Sequence, residues 1–261
     1  MSVAIVASFP WQAILNQARS QPQAAILLSD TRLVIGGAPI RHRVSKQFRL
    51  ASNLTTTFTT TNLYAITEAL FDKAGEPTTK ERTSIASVRD VRRLGEHLNC
   101  EHIKHGGWSA VLASIFELNA TSPTILELMP PDYKPVTRTG VLGIGNDHVI
   151  NCFKQLAEKR MKEVGGNIIV STPEQGGCDL MLDLAEAIDE ASEPSVALPY
   201  QGTVHRVDTT MSDLRAKIRR KSGQWEFLTI DDKDLGGLPS ITPRKEPSYT
   251  GGCRRSRQIL E

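Results

Sequence analysis

The first half of the chain consists of short apolar runs separated by polar residues, a pattern that predicts β-strands. Val3–Phe9 is continuously apolar apart from Ser8 and predicts a buried strand. Pro10 ends it, because proline has no N–H for a sheet ladder. Ala24–Leu28 and Leu33–Ile35 are two further predicted strands, joined by a polar segment, residues 29–32.

Further strands are predicted in pairs, and helices are predicted in blocks between them. A loop is expected at Gly36–Pro39, and a second strand pair at Phe48–Ala51 and Leu54–Phe58, with a turn at Ser52-Asn53. Later strands are expected at Trp108–Leu118, Thr124–Leu128, Val141–Gly145 and Ser195–Val207. Apolar residues at helical spacing predict helices over about Asn62–Lys73, Val88–Leu98, Asn146–Val164 and Asp179–Ala191.

This order of elements predicts an α+β fold. Strands in hairpin pairs with helices in blocks favour two antiparallel sheets with helical layers outside them. A four-layer αββα sandwich satisfies the order. From about Ser222 the chain becomes polar and rich in proline and glycine. We therefore expect one domain over residues 1–221 and a polar tail over 222–261, flexible or dependent on a partner.

Composition narrows the class of protein. The 261 residues are 39% hydrophobic and 23% charged, with a formal net charge of +2, so neither a polyanion nor a membrane surface is an expected partner. No run approaches the roughly 20 apolar residues of a spanning helix. Four scattered cysteines are typical of reduced thiols, and a cytoplasmic location is expected. No cofactor is predicted.

The start of the chain offers a candidate nucleophile. If Met1 is removed, Ser2 carries a free α-amino group, whose pKa of about 8 suits it to accept the hydroxyl proton. Asp30 and Lys46, sixteen residues apart, are candidate acidic and basic helpers. Taken singly, the aspartate can equally be a turn residue and the lysine a solvated surface residue.

Six segments in order resemble a proteasome β-subunit, or a bacterial proteasome-related protein, of the N-terminal nucleophile (Ntn) hydrolase class. The opening strand resembles the one that carries the nucleophile. The remaining matches are Ala25–Arg32 with its Ser-Asp-Thr-Arg end, Ser45–Leu50 with Lys46, the pair Trp108–Leu118 and Thr124–Pro131, and Val141–Gly145 before a helix. The resemblance covers roughly residues 2–210.

The resemblance implies an N-terminal serine peptidase, a hydrolase that cleaves peptide or other amide bonds. Lys46 would lie beside Ser2 and lower the pKa of its amine, Asp30 would orient Lys46, and an N–H near Thr60 would hold the oxyanion. It also implies a homo-oligomeric ring, a peptide or protein substrate and an unfoldase as a possible partner.

The sequence departs from the family pattern in several places, among them a serine where the usual nucleophile is threonine. Two of the departures, the loss of glycines before residue 62 and Ile144, favour an alternative, a catalytically inactive structural subunit of the same fold. Trp11–Pro22 is an insertion in the first hairpin. Threonines at 55–57 and 59–61 replace a glycine-containing segment, and their Cβ atoms crowd the oxyanion position. Ile144 stands where the family has a serine.

Weaker patterns leave other interpretations. A basic run near Arg219 indicates either a binding protein that uses this segment, with nucleic acid as a less favoured partner, or a solvated helix face or subunit contact. Cys100, His102 and His105 have spacing suited to zinc but no evident fourth ligand, so no metal site is predicted. Gly143-Ile144-Gly145 before a helix indicates a close turn rather than a nucleotide site.

Overall fold

A computed structural model describes residues 2–9, 23–31, 33–35, 38–41, 46–60, 85–163, 172–191, 200–207, 211–213, 217–219 and 225–227. The helices within these ranges are α1 (Val88–His105), α2 (Asp147–Glu163) and α3 (Pro173–Ala191). The strands are β1 (Val3–Phe9), β2 (Ala24–Asp30), β3 (Leu33–Ile35), β4 (Ala38–Arg41), β5 (Gln47–Ala51), β6 (Leu54–Thr60), β7 (Ser109–Ile115), β8 (Thr124–Leu128), β9 (Val136–Arg138), β10 (Val141–Gly145), β11 (Tyr200–Arg206), β12 (Met211–Asp213), β13 (Lys217–Arg219) and β14 (Trp225–Phe227).

Two five-stranded antiparallel sheets form the centre of the fold. The first has the strand order β10-β1-β2-β11-β12, and the second runs β5-β6-β7-β8-β9 in chain order. In the first sheet Ala4 lies opposite both Ile144 and Ser29, so β1 is enclosed on both edges. Short pairings join β3 to β4 and β13 to β14. The predicted α+β class with two antiparallel sheets is confirmed.

Alternation along the strands divides the apolar core into three clusters. Val3 and Ile5 pack with Phe153 of α2 and Leu184 of α3 on one face of the first sheet. Ala4 and its neighbours on the other face pack with second-sheet residues such as Leu112. The far face of the second sheet packs against Val91 and Leu98 of α1. Strands β1 and β7 are therefore buried on both of their faces, which explains why they are apolar along nearly their whole length.

Several predicted elements have different bounds in the structure. Val3–Phe9, Thr124–Leu128 and Val141–Gly145 agree residue for residue. Helix α1 continues seven residues beyond Leu98, and α3 begins at Pro173 instead of Asp179. Thr172 explains the earlier start, since its Oγ1 accepts a hydrogen bond from the Gln175 N–H at 3.3 Å and caps the helix.

Two local predictions are wrong. Ala38 and Pro39 belong to β4 rather than to a loop, and Pro39 lies opposite Val34 in a two-stranded pairing, where a proline is tolerated. The basic residues Lys217 and Arg219 lie in strand β13 and not on a helix face. The predicted helix over 62–73 and the insertion Trp11–Pro22 lie outside the described residues. The β13–β14 pairing spans the predicted domain boundary at 221, and that division stays a prediction.

No helix in the described part of the chain is long and apolar enough to cross a membrane.

Candidate active site

Four strand ends meet at one end of the two sheets. Strand β1 starts where its antiparallel neighbour β2 ends, and β5 starts near the end of β6. The four predicted site residues lie at this end: Ser2 just before β1, Asp30 at the end of β2, Lys46 just before β5, and Thr60 at the end of β6. The topology therefore collects residues that are up to 58 positions apart.

Asp30 uses its two carboxylate oxygens in two directions. Its Oδ1 accepts a hydrogen bond at 2.8 Å from the backbone N–H of Val3, the residue directly after Ser2. Its Oδ2 accepts one at 2.8 Å from Lys46 Nζ. Asp30 is fully buried. It therefore connects the start of the chain in the first sheet to the lysine of the second.

Lys46 is a buried ammonium with one carboxylate beside it. Its side chain is 5% exposed, and that of Asp30 is 1% exposed. Burial lowers the pKa of Lys46, because it disfavours the charged form, and the charge and hydrogen bond of Asp30 oppose that shift. A lysine held this way is suited to act on a neighbouring titratable group, and such perturbed groups concentrate at functional sites.

Ser2 is held against β10 through its backbone. Its carbonyl oxygen accepts a hydrogen bond at 3.2 Å from the N–H of Asn146, and Asn146 caps α2, as predicted, with its Oδ1 3.1 Å from the Val149 N–H. Gly145 permits the approach. A Cβ there would lie 1.9 Å from the Ser2 carbonyl oxygen, and its φ of +117° is a conformation that other residues rarely adopt.

The end of β6 lies beside Ser2. A Cβ added to Gly145 would also lie 3.3 Å from the methyl Cγ2 of Thr59, so Thr59 adjoins the Ser2 carbonyl. Phe58 donates its N–H to the Lys46 carbonyl oxygen at 3.2 Å. Alternate N–H groups of a strand point to the same side, so the Thr60 N–H faces the side of Lys46. The Thr60 side chain contacts Ser109, with the hydroxyls 2.6 Å apart.

The structure adds residues to the site that the sequence analysis missed. Gln201 lies at the start of β11, and its Oε1 accepts a hydrogen bond at 3.1 Å from the backbone N–H of Lys46. Gln47 donates its Nε2 to the backbone oxygen of Gln201 at 3.0 Å. A glutamine at a strand end has no distinctive spacing, and the segment that contains Gln201 is about 155 residues away in sequence, so no local pattern indicated it.

The departures from the family pattern have a structural counterpart. Ile144 is 4% exposed and belongs to the apolar cluster between the sheets, so it presents no polar group to Ser2. The hydroxyls of Thr57 and Thr59 are buried without a hydrogen-bond partner among the described residues. Unsatisfied buried hydroxyls are uncommon and costly, and Thr59 is the residue of β6 that lies near the Ser2 carbonyl.

The other candidate sites have structural explanations. Within the described residues no group of three or more His, Cys, Asp or Glu side chains is placed to hold a metal ion. The ring of His102 packs edge-on against Tyr133, with centroids 5.7 Å apart. A Cβ on Gly143 would lie 2.8 Å from Ile150 Cγ2. That glycine therefore serves the close packing of β10 on α2.

Comparisons with known proteins find likeness in structure only. No protein-family model matches the chain, and no curated protein matches it. A mutant of Anbu from Hyphomicrobium sp. strain MC1 superposes with a TM-score of 0.55 at 14% identity, covering 90% of each chain. Anbu from Yersinia bercovieri, described as an ancestral beta-subunit, gives 0.55 at 14% identity, covering 81% of this chain and 86% of that one. A further Hyphomicrobium Anbu structure gives 0.51 at 16% identity, covering 81% and 87%.

The likeness is one of fold. The assignment of the chain to the proteasome β-subunits or related Ntn hydrolases is therefore wrong as an identification of family, since no family model or curated relative supports it. The sequence segments that carried the assignment are strand ends and a strand-to-helix turn. Such segments are set by the architecture, and an architecture hosts more than one function.

Proposed function

We propose that this chain is an amide-bond hydrolase whose nucleophile is Ser2 after removal of Met1. The observation that carries the proposal is the bridge made by Asp30, which hydrogen-bonds both the Val3 N–H and Lys46 Nζ at 2.8 Å. A buried lysine–aspartate pair is costly to maintain for stability alone. Its attachment to the residue after Ser2 gives it a chemical use.

In the proposed reaction the Ser2 α-amine takes the proton from the Ser2 hydroxyl, and Oγ attacks the carbonyl carbon of an amide. The Lys46 ammonium lowers the pKa of that amine toward neutrality, and Asp30 holds the lysine in place. The tetrahedral oxyanion accepts a hydrogen bond from the Thr60 N–H. The protonated amine then gives its proton to the leaving nitrogen, and water releases the acyl group from Ser2.

The wider proposals follow from this chemistry and from the fold. We infer a four-layer αββα sandwich, supported by the apolar clusters that helices form on the outer face of each sheet. A homo-oligomeric assembly is supported by the likeness to a protein described as a beta-subunit. The substrate would be a peptide or protein in the cytoplasm, with an unfoldase as a possible partner. Cys100, Cys152 and Cys178 are thiols, as that compartment favours.

The second candidate is an inactive structural subunit of the same fold. It is favoured by Ile144, which is buried among apolar residues where a polar neighbour of the Ser2 amine is expected. It is also favoured by Thr59, whose β-branched side chain lies beside the Ser2 carbonyl. Under this alternative, the Lys46–Asp30 pair only joins the two sheets.

Hydrolysis of a set of fluorogenic peptide amides tests the proposal. We expect the purified protein with a free Ser2 to release the fluorophore, and Ser2→Ala and Lys46→Met to reduce kcat/KM by at least about a thousandfold. Lys134→Met is the matched control, because that side chain is 79% exposed and its ion-pair partner in the described part of the chain is the exposed Asp132. A protein with a free Ser2 and no turnover on any amide would favour the structural subunit.

A further inference from the structure

We propose that Gln201 and Gln47 are positioning residues that hold Lys46 at the correct place beside Ser2, an inference that rests on the proposed function. Lys46 lies just before edge strand β5, and its N–H is bonded by the Gln201 side chain. Because β5 is an edge strand of the second sheet, it pairs within that sheet with β6 alone. A contact that holds the start of β5 in place would also hold the Lys46 ammonium in place.

The first sheet holds Lys46 at both ends. The backbone N–H of Lys46 is 3.1 Å from Gln201 Oε1, and its Nζ is 2.8 Å from Asp30 Oδ2. Strands β11 and β2 are neighbours in that sheet, where Tyr200 lies opposite Asp30 and Gln201 opposite Ser29. The pairing of β2 with β11 therefore fixes the distance between the Asp30 carboxylate and the Gln201 side chain. Lys46 reaches from one to the other, with its backbone N–H at Gln201 and its Nζ at Asp30.

Gln47 fixes the two sheets against each other at this level. Its Nε2 lies 3.0 Å from the Gln201 backbone oxygen and 3.3 Å from Ser29 Oγ. Its Oε1 accepts the Thr203 hydroxyl at 2.6 Å. Gln47 is 7% exposed, Thr203 1% and Ser29 0%. Hydrogen bonds made at such depth are strong and specific in direction, so small displacements of β5 relative to β11 are opposed.

The arrangement uses a neutral side chain where a charged one would interfere. Lys46 already has a carboxylate partner in Asp30, and the Gln201 oxygen accepts a hydrogen bond from the Lys46 backbone N–H. A neutral amide leaves the charge of the lysine for the Ser2 amine. Loss of the acceptor would leave a buried N–H without its partner and let β5 move to find another. Displacements of about 1 Å at a reacting group cost roughly 100-fold in rate.

The test replaces the acceptor and then restores it. In Gln201→Met the side chain keeps its length but has no acceptor oxygen, whereas Gln201→Glu retains an oxygen at the same position. Gln201→Ser, which is too short to reach, is the second variant if the methionine variant does not fold. Gln175→Met is the matched control, because Gln175 is an exposed residue on α3 whose side chain donates to Asp179 of the same helix. Its backbone N–H, which bonds the capping Thr172, is kept in the variant.

Two measurements separate positioning from activity. By NMR, hydrogen exchange at the Lys46 amide is expected to accelerate about 2- to 10-fold in Gln201→Met or Gln201→Ser relative to the native protein, and to return toward the native rate in Gln201→Glu. The rate at which a β-lactone acylates Ser2 is expected to fall roughly 10- to 100-fold. Its pH profile should move up toward about 8, because the amine loses the influence of the cation.

Each outcome bears on one claim. Unchanged exchange at Lys46 in Gln201→Met and Gln201→Ser, or a Gln201→Glu protein no closer to the native rate than Gln201→Met, would overturn the positioning role. An accelerated exchange with an unshifted pH profile would also overturn it, since the contact would then be structural only. An accelerated exchange in a protein that the lactone never acylates would support the contact and count against the hydrolase itself.

Discussion

A buried ammonium such as that of Lys46 is stable only beside a compensating charge, since the penalty for removing it from water is several kcal/mol. Asp30 supplies that charge, and its second oxygen is committed to the Val3 N–H. The position of one carboxylate therefore determines both the state of the lysine and the path of the chain after Ser2. Two predictions at the residue scale follow from these contacts.

Asp30→Asn removes the charge and keeps the shape. Because Lys46 is left buried without its counter-charge, we expect the free energy of unfolding to fall by about 3–5 kcal/mol, measured by urea denaturation at pH 7. Asp132→Asn is the control, since its partner Lys134 is exposed and the pair contributes at most about 1 kcal/mol. An equal fall in the free energy of unfolding for Asp30→Asn and Asp132→Asn would show that Lys46 does not depend on Asp30 as its counter-charge.

Gly145→Ala tests the close approach of β10 to Ser2. The new Cβ would lie 1.9 Å from the Ser2 carbonyl oxygen, so the start of the chain must move. Gly106→Ala is the matched control, because Gly106 also has a positive φ, +66°, but a Cβ added there would have no atom within 4 Å. We expect Gly145→Ala to cost about 1–3 kcal/mol more than Gly106→Ala in chemical denaturation. A similar cost for both would mean that Ser2 is not held as described.

The sequence was informative about the residues of the site that come with a local pattern. Ser2 is a candidate from its own chemistry, Asp30 and Lys46 from their spacing together with the family resemblance, and Thr60 from the resemblance alone. The structure places all four at the same end of the sheets. Their catalytic roles stay a prediction. Gln201 was missed because its contact with Lys46 joins different sheets, and such contacts leave no periodicity in the sequence.

At the scale of elements, continuous apolar runs were the most reliable guide. Val3–Phe9 is buried over its whole length. The apolar run therefore coincides with the strand, and the polar Ser2 and Pro10 mark its two ends. The start of α3 was placed six residues late because Gly176 and Gly177 are poor helix formers. Both glycines are buried within the helix, where packing outweighs intrinsic propensity.

In helix α1, we expect the substitution Gly95→Ala to have an effect opposite to the one that helix propensity predicts. Replacing a glycine inside a helix with alanine normally stabilises the protein by about 1 kcal/mol. At Gly95 the added Cβ would lie 2.1 Å from the Tyr133 carbonyl oxygen, because α1 packs closely on that segment. We therefore expect Gly95→Ala to lower the melting temperature, whereas Glu96→Ala, at the neighbouring exposed position, should leave it nearly unchanged. A raised melting temperature for Gly95→Ala would contradict this packing.

At the scale of the whole molecule, polar contacts join the two sheets at opposite ends. The Lys46–Asp30 pair lies at one end. At the other, His205 of β11 contacts Ser114 of β7, with Nδ1 3.0 Å from Oγ, and its ring packs edge-on against Phe116. Burial lowers the pKa of His205 to about 4, with a further contribution from the charge of Arg49. The inter-sheet layer thus contains a neutral histidine at physiological pH.

That histidine gives the stability a defined dependence on pH. The pKa of His205 is about 4 in the folded chain and about 6.5 in the unfolded one, so between these values the unfolded state binds more protons. The contribution of His205 is complete above pH 6.5 and is lost as the pH falls toward 4, by on the order of 3 kcal/mol. The free energy of unfolding, measured by urea denaturation at a series of pH values in this range, should rise less steeply with pH for His205→Gln than for the native chain.

His148→Gln is the control for that experiment, because His148 is exposed on the first turn of α2. The stability of His148→Gln should depend on pH as that of the native protein does, because the exposed His148 side chain is not part of the layer between the sheets. An unchanged slope in His205→Gln would mean that His205 does not stay neutral between the sheets.

The measurement that tests the central claim most directly is the intact mass of the protein before and after treatment with a β-lactone, combined with N-terminal sequencing. The account predicts a chain that begins at Ser2 with a free amine, gains one lactone, and loses that reactivity in Ser2→Ala and in Lys46→Met but not in Lys134→Met. A chain that begins at Ser2 with a free amine and gains no lactone would contradict it.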